Sequence, residues 1–140
     1  MINTLEVIAR HHLQQLVVVR VAALDWPQLG GATYGPGGIA TITLSEVLTP
    51  AALGFVFFHE LGHLVLGHVA RPGEPAVSSA QLADLRGILP ESPAVRRLVE
   101  LEAQQEAEVN AWADEQLANF ERQFGPFVDA IRGDYGTITG

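Results

Sequence analysis

The feature that most restricts this chain is a pair of histidines set four apart inside its most apolar stretch. Leu53, Phe55, Val56, Phe57 and Phe58 run into His59-Glu60-Leu61-Gly62-His63, and Leu64-Val65-Leu66 follow. A run this apolar belongs in a core, where imidazole and carboxyl groups are costly unless a metal or a hydrogen-bond network satisfies them. Thr49-Pro50 supplies an N-cap and a first helical position, and Gly67 a stop, so a helix is predicted from Ala51 to about Leu66. Residues four apart on a helix lie about 40° apart around its axis, which puts His59 and His63 on one face.

Two imidazole nitrogens so placed can each lie ~2.0–2.1 Å from one Zn²⁺. Glu60 stands beside that point without being on it, where it can take a proton from a zinc-bound water, whose pKa falls to about 7. Helical context is what gives an HExxH string this meaning. A catalytic zinc wants three protein ligands and an open position. Leu66 and Val69 stand where the metzincin spacing needs Gly and His, so the third ligand comes from elsewhere. His68 points away from the metal on a regular helix and is read as a supporting or structural residue behind the ligands. His11 and His12 are read as surface or structural.

Carboxylates remain. Glu100, Glu102, Glu106 and Glu108 fall in one helical pattern, where a solvated face is the ordinary expectation. Glu106 differs in its company: Glu106, Val109, Asn110, Ala113 and Leu117 share one stripe, so its carboxylate faces inward among small and apolar residues. It is favoured as third ligand over Glu102 and Glu108. Asn110, one turn on, is placed to orient a ligand from behind.

The 140 residues are one domain's worth of chain, spanning 1–140, with 48% apolar residues and a net charge of −8. All eight basic residues are Arg. So acidic a chain lacks the footprint for phosphate backbones, which argues against direct nucleic-acid binding. Without Cys there is neither a disulfide framework nor a thiolate nucleophile. No secretion signal opens the sequence and the apolar run is too short to span a bilayer, so a cytoplasmic protein without membrane partners is expected.

Around the motif the elements read as α+β. Asn3 caps a helix to about Leu13, and Leu16–Val21 is a β-branched strand. A loop over Asp25–Gly31 follows, then strands at Ala32–Tyr34 and Ile39–Leu44 about a Gly35-Pro36-Gly37-Gly38 turn. The Pro- and Gly-rich stretch Val69–Ser92 holds a short helix over Ser79–Leu89 and reads as a surface loop rather than a lid. Ser92-Pro93 opens a long helix to about Phe124, and the tail from Gly133 to Gly140 is expected to fray.

The run His59-Glu60-Leu61-Gly62-His63-Leu64-Val65-Leu66-Gly67-His68 resembles the HELGHLLLGH signature of the ImmA/IrrE family of zinc metallopeptidases. Glu106-Ala107-Glu108-Val109-Asn110-Ala111-Trp112-Ala113, then Leu117, is similar to that family's second block, and Pro36-Gly37-Gly38-Ile39 to a short segment before its helix. Val109 and Trp112 stand where the family usually has Ala and Phe, and its Met-Pro after the Leu pair is missing. The resemblance implies that His59, His63 and Glu106 bind Zn²⁺ and that Glu60 is the catalytic base. It implies a zincin-like, gluzincin-type fold: a small, mainly antiparallel sheet packed on an active-site helix and a long ligand-bearing helix. It further implies a bacterial or phage origin and a protein substrate of the helix-turn-helix repressor kind.

The activity expected is hydrolysis of peptide bonds, with an edge near Ile39–Leu44 pairing with an extended substrate and zinc polarising its carbonyl. Tyr34 and His68 are candidates for the donor to the oxyanion. The alternative is a non-catalytic, zinc-stabilised interaction or regulatory protein of the same fold. Metal-dependent hydrolysis of some other bond is a third reading.

Overall fold

The computed structural model describes residues 4–25, 27–74 and 77–131. The expected Asn3 cap and the tail from Gly133 to Gly140 lie outside these. In chain order the elements are α1 (Thr4–Leu13), β1 (Val17–Ala22), β2 (Gly30–Tyr34), β3 (Ala40–Ser45), α2 (Pro50–Val65), α3 (Ser79–Ile88) and α4 (Pro93–Phe124). The caps follow the sequence reading: the Thr49 hydroxyl accepts from the Ala52 amide at 3.3 Å and the Ser92 hydroxyl from Val95 at 3.4 Å.

The sheet has the order β1-β3-β2. β1 runs parallel to β3, from Val17 opposite Ala40 to Ala22 opposite Ser45, and β2 runs antiparallel to it, from Gly30 opposite Leu44 to Tyr34 opposite Ala40. The sheet is therefore mixed rather than mainly antiparallel. It also places β3 at the centre, so the Ile39–Leu44 segment has no free edge for a substrate. The reason is burial. Ala40, Ile42 and Leu44 are fully shielded and Thr43 and Ser45 are buried beside them, so β3 is the strand covered on both faces. The edges are β1 and β2, and β2 starts at Gly30 rather than Ala32 because Gly30 and Gly31 pair with Leu44 and Thr43 instead of forming a loop.

α2 is the hub. It packs on β2, β3, α1 and α4, and Phe57, Phe58 and Leu61 are almost entirely buried. The Phe58 ring meets those of Phe127, Trp112 and Phe120 at centroid distances of 5.6, 6.4 and 6.4 Å. Two glycines set how closely α4 lies on α2. A Cβ at Gly62 would fall 2.5 Å from Val109 Cγ2, and one at Gly54 would fall 3.0 Å from the Phe127 ring and 3.1 Å from Leu117. α3 rests on α4, with the Ser79 hydroxyl donating to Glu102 at 3.1 Å. Among the described residues no helix is long and apolar enough to cross a membrane.

Candidate metal centre

The α2–α4 contact carries the polar residues the sequence singled out. His59 and His63 leave the same face of α2, and their Nε2 atoms lie 3.2 Å apart. Glu106, on the facing turn of α4, directs one carboxylate oxygen at each ring: Oε2 is 3.3 Å from His59 Nε2 and Oε1 is 3.2 Å from His63 Nε2. These three side chains form a group of donors able to share one cation. The imidazoles are mostly shielded, whereas the carboxylate side chain is 47% exposed, which leaves the cluster open on the Glu106 side. Glu102, the rival third ligand, instead accepts from Ser79, and the other rival, Glu108, faces His68.

Behind the cluster sit two supports. Asn110 Oδ1 is 2.9 Å from His59 Nδ1. His68 does not point away, because the helix stops before it. Its Nδ1 is 3.1 Å from His63 Nδ1 and its Nε2 is 3.0 Å from Glu108 Oε1. With both ring nitrogens engaged, His68 has no spare donor for an oxyanion. Tyr34, the other candidate for that task, carries the Arg71 guanidinium 4.6 Å above its ring.

Glu60 lies beside the triangle of donors and against the edge strand β2. A Cβ at Gly30 would sit 2.9 Å from Glu60 Cγ, so only a glycine lets β2 close over this side chain. Burial, and then the Glu106 charge, push the Glu60 carboxyl up to about 7. Burial first, then His59 and His68, hold His63 down to about 4, so its ring is neutral and free to ligate at neutral pH. His12 packs edge-on to Trp112 at 5.6 Å and Phe58 at 6.3 Å, and its pKa is lowered by burial and by His11.

Two residues escaped the sequence reading. Glu108 reads there as a rival third ligand or a solvated acid, and not as the partner of His68. Gly30 looked like loop punctuation, although a glycine next to a strand is also the signal for close backbone approach. Compared with protein-family models, curated proteins and solved structures, the chain gives no significant match.

Proposed function

We propose that this protein is a zinc-dependent endopeptidase of the ImmA/IrrE kind, zincin-like in architecture, in which His59, His63 and Glu106 hold the metal. The observation that carries this reading is the convergence of two Nε2 atoms and a carboxylate at 3.2–3.3 Å, next to a half-buried carboxyl outside their triangle. Donor atoms on one tetrahedral zinc, with bonds of ~2.0–2.1 Å, lie about 3.3–3.4 Å from each other. Three protein ligands leave a fourth position, the pattern of catalytic rather than structural zinc.

When bound, zinc supplies Lewis acidity toward a carbonyl and makes water acidic enough to ionise near neutral pH. Glu60 does the proton work: a carboxylate oxygen accepts the proton of the attacking water and passes it to the leaving amine nitrogen. Without metal the carboxyl is raised to about 7, by burial and then by Glu106; a cation bound beside it would lower it toward the ionised form that accepts the proton. Of the two edge strands, β2 is the one whose backbone Gly30 brings against Glu60, so an extended peptide adding to β2 passes the site. A net charge of −8 favours a protein substrate over nucleic acid, and the family resemblance suggests a helix-turn-helix repressor.

The test is zinc content by mass spectrometry, with cleavage of an unstructured protein such as casein and of candidate repressors. Wild type and Glu60→Gln should each carry zinc, and Glu106→Ala should lose it. Glu60→Gln should cut at least ~100-fold more slowly. Zinc without cleavage of any protein would favour the interaction-protein reading; no zinc in wild type would refute both.

A further inference from the structure

We infer that His68 and Glu108 are positioning residues that lock His63 in the tautomer and orientation a metal requires. The inference rests on the zinc reading above and deepens it, since neither side chain adds a donor to the triangle.

The backbone makes the arrangement possible. Gly67 takes φ 76°, a left-handed value that glycine adopts without steric cost. The Gly67 amide donates to the Leu64 carbonyl at 3.3 Å and the His68 amide to the His63 carbonyl at 2.9 Å, the paired bonds of a Schellman cap. The chain thereby turns back, and the His68 ring comes to 5.3 Å from that of His63, centroid to centroid.

Proton placement then follows by donor and acceptor logic. The Glu108 carboxylate only accepts, so His68 Nε2, 3.0 Å away, carries a proton and donates it. A neutral imidazole protonated there presents a lone pair at Nδ1. Across 3.1 Å from that lone pair, His63 Nδ1 must be the donor. The His63 proton is thus held on the far side of the ring, and the Nε2 lone pair faces His59 and Glu106. Asn110 does the same for His59 through a single bond. With its side chain only 8% exposed, His68 is shielded from water that would compete for these bonds.

Two measurements test this on the full chain. Imidazole ¹⁵N–¹H correlation spectra of the metal-free protein read the tautomer, and competition with a chromophoric chelator reads affinity for Zn²⁺ alone. Wild type should show His63 protonated at Nδ1. His68→Phe should release it into a mixture of tautomers and weaken zinc binding ~10–100-fold. Glu108→Ala, at a surface position that does not threaten folding, should act in the same direction and more weakly. A wild-type His63 protonated at Nε2, or zinc affinities within about twofold for both variants, overturns the inference. Failure of wild type to bind zinc overturns the peptidase reading with it; unchanged affinity in the variants of a zinc-binding wild type overturns this inference alone.

Discussion

Gly62→Ala adds one methyl group where α2 and α4 meet, and its effect can be worked out from the contact itself. The new Cβ would sit 2.5 Å from Val109 Cγ2 and 2.9 Å from Trp112 Cε3. Carbon atoms in contact rest ~3.5–4.0 Å apart, so the helices must part by about 1 Å. Val109 is fully buried and β-branched, and it has no rotamer to escape into. Overpacking of this kind costs about 1–3 kcal/mol, and so short a contact belongs at the upper end. Alanine returns about 1 kcal/mol through helix propensity. The net is a loss of about 2 kcal/mol, or a Tm lower by roughly 5–10 °C.

The same displacement acts on the donors. Glu106 lies one turn before Val109 on α4, and both histidines share α2 with Gly62, so the carboxylate moves off rings that it now meets at 3.3 and 3.2 Å. Zinc affinity should therefore fall together with stability. Urea denaturation of the metal-free protein and zinc competition measure the two effects. Gly87→Ala is the control: it lies in α3, has nothing within 4 Å of the added Cβ, and should gain up to about 1 kcal/mol. If Gly62→Ala proves as stable as Gly87→Ala and binds zinc like wild type, this glycine does not set the spacing of the site.

Two further outcomes follow from the same contacts. Gly67→Ala meets no neighbouring atom, so it should cost only the left-handed backbone penalty of about 1–2 kcal/mol in urea melts; a loss near zero would mean that the cap relaxes without strain. In the metal-free protein Glu60→Gln should stabilise on the order of 3 kcal/mol at pH 8 and little at pH 4, because the folded carboxyl titrates near 7 against 4.5 unfolded, so stability is full below 4.5 and lost as pH rises through 7. His63 works in the opposite sense: titrating near 4 when folded and 6.5 unfolded, it loses stability as pH falls from 6.5 to 4. The two slopes oppose each other in wild type, and Glu60→Gln should uncover a rise in urea midpoint from pH 4 to 6.5; parallel profiles would refute the assignment.

What could be read from the sequence was local. Thr49-Pro50 and Ser92-Pro93 fixed where α2 and α4 begin, because caps act over one turn. Helical periodicity put Glu106 on the same stripe as Val109 and Ala113, both of which are fully buried. The features that escaped are nonlocal. Nothing near Val17–Ala22 says that it will lie parallel to β3 with β2 on the far side, since pairing order is decided by which strand is buried deepest. Gly30 breaks a strand by propensity and yet belongs to one, because its missing side chain is what α2 packs against. The side of the cluster His68 occupies depends on the turn at Gly67: a regular helix would aim it away, and the left-handed Gly67 brings it beside His63.

The electrostatics of the cluster support the proposal that a cation, rather than a proton, suits this place. Two nitrogens lie 3.2 Å apart with carboxylate oxygens at similar range, and such lone pairs repel unless something positive sits among them. A proton on His63 is the simplest remedy, and burial and the neighbouring rings oppose it by holding that imidazole's pKa to about 4. On the proposed reading, a divalent ion would engage all three donors at once and balance the charge of Glu106. Because those donors come from two helices, the binding free energy of such an ion would also tighten the α2–α4 contact. At a free zinc concentration a thousand times Kd the linkage amounts to about 4 kcal/mol, enough to outweigh the loss expected for Gly62→Ala. Zinc should therefore raise Tm in wild type and leave it unmoved in Glu106→Ala, tying the fold to the proposed chemistry through a single residue on α4.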